Sequence, residues 1–303
     1  MTHDADWAFD RYEAVRHRFP KPGPAGACAR GGSLLDLADE IDVFVLDGFG
    51  VLNVGETAIP GVAARLADLR ARGKALIVLT NAARYSEKES LSKYLRFGFD
   101  FRLEEIVSSR TVMTAAMAGM QSPGVWGLAA PADSALSVPG HGFSALGDDI
   151  AAYDAAAGFV LLSAAGWTET PQDLLVASLK RRPRPVLVGN PDIVAPREDR
   201  LSLEPGFYAH DLADRTGVEP AFFGKPFENA FDAVLARLAE LGVSVERSRM
   251  AMVGDTLHTD ILGGSAAGMK TVLVTDHGLF AGRPVEPYIE RSGLRPDFIL
   301  PTA

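Results

Sequence analysis

The sequence predicts an α/β fold, a doubly wound parallel (Rossmann-like) sheet with a smaller α/β unit inserted into it. Three observations carry this expectation. The apolar run Val43-Phe44-Val45-Leu46 ends in Asp47 and the turn Gly48-Phe49-Gly50, as a buried strand does when its chain leaves a sheet abruptly. Far downstream, Met250-Ala251-Met252-Val253-Gly254-Asp255 repeats the device. Between the two, apolar runs alternate with helical patterns, the mark of strands joined by crossover helices.

Near the N-terminus Trp7, Tyr12, Val15 and Phe19 fall close to helical spacing before Pro20-Lys21-Pro22-Gly23-Pro24 breaks the chain. Residues 1–33 therefore read as a short amphipathic helix and a linker. A second helix is expected from Leu34 to Glu40. After the Asp47 strand, Pro60 is a good first helical residue, and its pattern runs through Leu66 and Leu69 to Gly73. The strand Ala75-Leu76-Ile77-Val78-Leu79-Thr80 follows and ends in Asn81, with helical patterns at 86–97 and 110–119. From about 122 to 215 the texture changes to short apolar runs separated by Ala-rich or Pro-rich segments, with one helix over 171–181. That length is enough for a core of its own. Lys225-Pro226 then leads into a helix over 227–241, and strands at 250–254 and 271–275 restore the first pattern. The chain thus divides into residues 1–33, a discontinuous core at 34–100 and 216–303, and an inserted unit at 101–215.

Composition narrows the function classes. The chain has 303 residues, 47% hydrophobic and 23% charged, as soluble globular proteins do. A net charge of −9 argues against nucleic acid as a partner, since phosphate backbones need clustered Lys and Arg. The short run Lys180-Arg181-Arg182-Pro183-Arg184 reads as a solvated helix end. Cys28 is the only cysteine, so no intrachain disulfide forms and a reducing compartment is expected. The N-terminus lacks the apolar core of a signal peptide, and no apolar stretch approaches a membrane span of about 20 residues. No membrane partner and a cytoplasmic location are expected.

The candidate site collects Asp47, Thr80, Asn81, Lys225, Asp255 and Asp260. Asp47, Thr80, Asn81 and Asp255 lie at or just past the ends of expected parallel strands, so they converge on one sheet edge. Strand-end carboxylates with a third acid suit a divalent cation held by hard oxygens, Mg²⁺. Asp47 has the chemistry of a carboxylate nucleophile that forms an acyl phosphate. A carboxylate and a phosphate dianion repel unless positive charge lies between them, which a cation at Asp47 and Asp255 provides. Lys225 adds a second cation, while Thr80 and Asn81 are donors for phosphoryl oxygens. The small residues Gly263, Gly264, Ala266, Ala267 and Gly268 read as close-packing positions. Serine-elbow, zinc-protease, Walker and dinucleotide motifs are all missing.

In order and placement this set resembles the haloacid dehalogenase (HAD) superfamily, over roughly residues 34–300. Asp47 matches the first motif, Thr80-Asn81 the second, Lys225-Pro226 the third, and Gly254-Asp255-Thr256 with Asp260 the fourth. The insertion containing Gly189-Asn190-Pro191-Asp192 is similar to the α/β cap of the NagD-like branch, which acts mostly on small phosphomonoesters. The resemblance implies a Mg²⁺-dependent phosphatase with Asp47 as nucleophile. It implies metal ligands from Asp47, Asp255 and the Phe49 backbone carbonyl, with Asp260 behind them. Gly48, Asn190 and Asp192 would contact a small phosphorylated metabolite, and cap-to-cap homo-oligomers are compatible with it. Related phosphatases have a general-acid aspartate where this chain has Phe49. Three readings of that departure stay open: another acid (His258 or Asp192), a substrate with a good leaving group, or faded catalysis in a ligand-binding protein. An aromatic at this position also resembles the dehalogenases, which cleave carbon–halogen bonds.

Overall fold

The computed structural model describes residues 4–121, 124–197 and 200–303. Its largest sheet has seven parallel strands in the order Ala29–Arg30, Phe298–Leu300, Lys270–Val274, Met250–Gly254, Val43–Leu46, Ala75–Thr80 and Ile106–Ser108. From Val43–Leu46 the chain winds outward through Ala75–Thr80 and Ile106–Ser108, then returns to Met250–Gly254 on the opposite side. The strand order therefore reverses between Val43–Leu46 and Met250–Gly254, which pair in parallel with Leu46 beside Val253. In an open α/β sheet, ligands bind in the crevice beyond the carboxyl ends at this reversal. Asp47 and Asp255 are the residues that follow those two ends.

The central strands read as continuous apolar runs because helices cover both faces. Phe44, Leu46, Leu76 and Val78 face the helix Val62–Ala71 through Leu66 and Leu69. Their alternates Val43, Val45, Ile77 and Leu79 face the helix Glu228–Glu240 through Phe231, Val234 and Leu238. The expected helix at 86–97 is Glu87–Arg96, started by a capping box in which Ser86 and Glu89 satisfy each other's N–H. A second sheet of five parallel strands runs Ala221–Phe222, Val186–Val188, Phe159–Leu161, Val125–Ala129 and Gly142–Ala145. The helices Ile150–Ala155, Glu169–Arg181 and Pro205–Thr216 belong to this second unit. An antiparallel hairpin, Val194–Pro196 with Leu201–Leu203, projects from it. Among the described residues no helix is long and apolar enough to cross a membrane.

Several expectations change. Ile106–Ser108 belongs to the seven-stranded sheet although the sequence reading put it in the insertion, and Ala221–Phe222 belongs to the five-stranded sheet although it was put in the core. Ala29–Arg30, read as linker, adds an edge strand against Phe298–Leu300. The helix expected from Leu34 to Glu40 is a single 3₁₀ turn, Leu34–Leu37. The chain has no room for more, because the Asp42 N–H already bonds the Arg249 carbonyl at the start of the central strand. Arg184 is not part of a solvated helix end: its guanidinium is buried, donating to the carbonyls of Tyr153 and Ala156 and covering the Phe159 ring. Those carbonyls end the helix Ile150–Ala155 and have no helical partner of their own.

One buried side chain sets a pH dependence. His210 is 3% exposed, with neither ring nitrogen hydrogen-bonded among the described residues. It stacks on Phe222 at 4.9 Å and meets the edge of Phe19 at 5.6 Å. Burial lowers its pKa to about 4. The unfolded chain takes up this proton near the ordinary value of about 6.5, so stability is full above that pH and is lost as pH falls toward 4. The loss should approach about 3 kcal/mol at the acid end. Melting temperatures measured from pH 7 to 4 should fall less steeply in His210→Leu than in the wild type.

Candidate active site

At the strand-order reversal a buried ammonium joins two carboxylates. Lys225 Nζ lies 2.5 Å from Asp47 Oδ1 and 2.7 Å from Asp260 Oδ1. Lys225 is 1% exposed and Asp260 0%. Burial alone would lower the Lys225 pKa, but the Asp260 and Asp47 charges hold it above its ordinary value. Asp47 Oδ1 also accepts the Gly48 N–H at 2.7 Å. Asp255 is fixed from both sides: its Oδ1 accepts the Thr256 hydroxyl at 3.0 Å and its Oδ2 the Leu279 N–H at 2.7 Å. Asp260 Oδ2 accepts the Thr256 N–H at 3.0 Å.

Oxygens of Asp47, Asp255 and Asp260 lie within 4.8 Å of one another. Burial, then repulsion from Asp260, raises the Asp47 pKa against the pull of Lys225. Burial and the charges of Asp260 and Asp47 raise that of Asp255. One ammonium among three carboxylates leaves a negative excess in a low-dielectric site, which hard-oxygen ligation of a divalent cation would relieve. Asp260 is fully buried against Lys225 and does not line the cavity above the site, whereas Asp47 and Asp255 do, so these two are the ligands left to a cation. The Phe49 carbonyl accepts no hydrogen bond among the described residues. Gly50 has φ +75°, and a Cβ there would come 2.6 Å from Asp255 Oδ2, so only glycine lets this turn approach the carboxylate. The donor set fits Mg²⁺.

A cavity of about 410 Å³ opens above these groups, lined by Asp47, Phe49, Thr80, Asn81, Asp192 and Asp255, among others. Lys225 and Asp260 do not line it. Thr80 Oγ1 accepts the Ala82 N–H at 3.1 Å, which leaves the hydroxyl proton for a ligand. Asn81 is spent differently from the expectation. Its Nδ2 donates to Asp192 Oδ1 at 2.8 Å and the Lys225 carbonyl at 2.9 Å, and its Oδ1 accepts the Lys225 N–H at 2.8 Å. A buried amide must satisfy all three, so this side chain ties segments together and has no donor left for a phosphoryl oxygen. Asn190 lines the cavity, with its amide engaged by neighbouring residues: its Oδ1 accepts the Asp192 N–H at 3.0 Å and its Nδ2 donates to Glu204 at 3.2 Å. Of that loop, Asp192 keeps a carboxyl oxygen with no partner among the described residues. Gly48 turns its N–H onto Asp47 and does not line the cavity.

Two cations lie against the Phe49 ring. Lys93 Nζ is 4.7 Å from the ring centroid and Arg197 Cζ 5.3 Å. Lys93 comes from the helix Glu87–Arg96 and Arg197 from the projecting hairpin, and sequence reasoning singled out neither. His258 does not face the cavity. Its Nε2 meets Glu13 at 2.5 Å, and its ring stacks on Tyr12 at 5.0 Å. A π-helical turn, Leu257–Ile261, carries it under the N-terminal helix.

A parallel α/β core with acids at its switch point and a second sheet set into the chain defines a class, and the comparisons with known proteins agree. Residues 44–140 match the haloacid dehalogenase-like hydrolase family and residues 222–302 the HAD-hydrolase-like family. The chain belongs to the haloacid dehalogenase-like hydrolases. It is 31% identical over 275 residues to the glycerol-3-phosphate phosphatase of Rattus norvegicus, covering 78% of this chain and 79% of that one. It is 27% identical over 291 residues to the 4-nitrophenylphosphatase of Schizosaccharomyces pombe, covering 84% and 93%. A solved HAD-superfamily structure from Cytophaga hutchinsonii superposes with a TM-score of 0.80 at 25% identity, covering 90% of this chain and 98% of that one. Within the family the chain is a NagD-like phosphatase, an enzyme acting on phosphoric esters. The carbon–halogen alternative gives way to these relatives.

Proposed function

We propose that the chain hydrolyses a small phosphomonoester through an aspartyl phosphate on Asp47, in the presence of Mg²⁺ held by Asp47, Asp255 and the Phe49 carbonyl. The observation that carries this reading is the buried Asp47–Lys225–Asp260 chain beside Asp255, beneath the cavity that Asp47 and Asp255 line. The metal's contribution is charge neutralisation between carboxylate and phosphoryl group. Asp47 attacks phosphorus as the ester P–O bond breaks, while Lys225 keeps the carboxylate ionised and oriented. The Thr80 hydroxyl donates to a phosphoryl oxygen. Water then attacks the phosphoryl group, the bond to Asp47 breaks, and inorganic phosphate leaves.

The leaving oxygen takes its proton from Asp192 in this reading. Asp192 lines the same cavity as Asp47. Burial raises its pKa well above the ordinary carboxylate value; the charges of Asp47 and Asp260 add to this, against Lys225 and the Asn81 hydrogen bond. A carboxyl whose surroundings favour its protonated form is suited to general acid catalysis. After giving up its proton, Asp192 takes one back from the attacking water. The insertion acts as a substrate-selecting cap, and the free thiol of Cys28 suits a cytoplasmic setting.

Acid quench of single turnovers with ³²P-labelled 4-nitrophenyl phosphate tests the intermediate. Label should appear transiently on the peptide containing Asp47. Burst release of 4-nitrophenol with no protein-bound label would refute a phosphoaspartate.

A further inference from the structure

The helix Ala5–Ala14 and the segment after it lie outside both family-matched regions, 44–140 and 222–302. They nonetheless touch both sheet units. On the core side, Asp6 pairs with Arg283 at 2.6 Å and accepts the Tyr288 hydroxyl at 2.7 Å, and Asp10 pairs with Arg291 at 2.6 Å. On the insertion side, Trp7 packs 5.8 Å from Phe207, and Arg18 pairs with Asp214 at 2.7 Å. Phe207 and Asp214 both belong to the helix Pro205–Thr216. The segment is a strap across the two units.

The centre of the strap is Tyr12, 1% exposed. Its hydroxyl oxygen accepts the Ile193 N–H at 3.0 Å, one residue beyond Asp192. Its ring lies parallel to His258, 5.0 Å away with 6° between the planes, three residues beyond Asp255. One side chain therefore holds the loop carrying Asp192 against the turn that follows Asp255. Surface ion pairs along the helix are worth little individually. They fix the helix, and Tyr12 is its buried contact with both loops. We propose that Tyr12 is a positioning residue for the phosphatase reaction, clamping the Asn190–Ile193 loop to the 255–259 turn and so setting Asp192 relative to Asp47. This rests on the reading of Asp192 as proton donor.

Tyr12→Phe keeps the ring on His258 and removes only the hydroxyl, leaving the buried Ile193 N–H without its acceptor so that the loop shifts. The test measures kcat and KM with Mg²⁺ for the wild type, Tyr12→Phe, Asp192→Asn and the double variant, on 4-nitrophenyl phosphate and on glycerol phosphate. A misplaced donor hurts only the ester whose leaving group needs a proton. Tyr12→Phe should lower kcat on glycerol phosphate roughly ten- to a hundredfold, with KM and the aryl ester rate at wild-type values. In the Asp192→Asn background it should add no further loss, since the two act as one unit. Equal loss on both esters, no loss, or full additivity in the double variant would overturn the role of Tyr12. Asp192→Asn measured alone reports on the acid reading separately: if it is unselective, that reading falls whatever Tyr12 does. Should Tyr12→Phe fail to fold, Phe207→Ala loosens the strap from the insertion side. It should give the same selective loss in smaller measure, and an equal loss on both esters would overturn the proposal.

Discussion

Asp47→Asn should lower turnover of phosphomonoesters by at least about 10⁴-fold, as removal of a covalent nucleophile does elsewhere, while the melting temperature holds or rises. The asymmetry follows from the surroundings. An amide at position 47 keeps an oxygen to accept the Gly48 N–H, and Lys225 retains its 2.7 Å pair with Asp260. What disappears is one of three crowded carboxylates, so Asp255, still raised by burial and by Asp260, loses the repulsion from position 47. Catalysis has no such compensation, because an amide forms no acyl phosphate under these conditions. Chelation of the metal should stop the wild type equally, and added Mg²⁺ should restore it. Steady-state rates with 4-nitrophenyl phosphate, before and after chelation, with a thermal melt of each variant, check both halves. A variant turning over within tenfold of the wild type, or a chelated enzyme at full rate, would remove Asp47 and the metal from the mechanism.

How much of this was legible in the sequence depends on how local each signal is. Asp47 and Asp255 could be read directly, because a doubly covered strand is an apolar run and the residue that ends it stands at the sheet edge. The parallel, doubly wound character of the sheet followed from the same runs. The use of Asn81 could not be read. Its partners Asp192 and Lys225 are 111 and 144 positions away, and only the folded chain shows that they exhaust its amide. The same holds for His258, whose neighbour Glu13 is 245 positions away. His258 sits three residues after a metal-type aspartate, which drew attention to it, yet the π-helical turn rotates it out of the site. The helix Pro205–Thr216 did carry local signals, Pro205 at its start and left-handed Gly217 at its end. They were masked by Gly206, His210 and Asp211, which dilute the apolar pattern. The strand Gly142–Ala145 is mostly exposed, so it has no apolar run to betray it.

Asp192→Asn should convert a shallow dependence of rate on leaving-group pKa into a steep one. With a proton donor in place, alkyl and aryl phosphates are cleaved at comparable rates; without it, the alkoxide must leave unprotonated. Alkyl esters should lose about 10²–10⁴-fold, the contribution general acid catalysis supplies, and 4-nitrophenyl phosphate should lose little. The surroundings of Phe49 explain why position 49 is not an equivalent seat for the acid in this chain. Its ring lies 4.7 Å from Lys93 Nζ and 5.3 Å from Arg197 Cζ. A carboxyl placed there by Phe49→Asp would be held ionised by both cations, the opposite of what a donor needs. Phe49→Asp in the Asp192→Asn background should therefore recover little of the alkyl rate. Adding Lys93→Met, which removes the nearer cation, should recover more, since the new carboxyl can then hold its proton. Rates across a series of phosphate esters of graded leaving-group pKa, taken for each variant, give the slope directly. A steep slope in the wild type would mean that Asp192 donates nothing, and full rescue by Phe49→Asp alone would mean that Lys93 and Arg197 do not control the charge at this position.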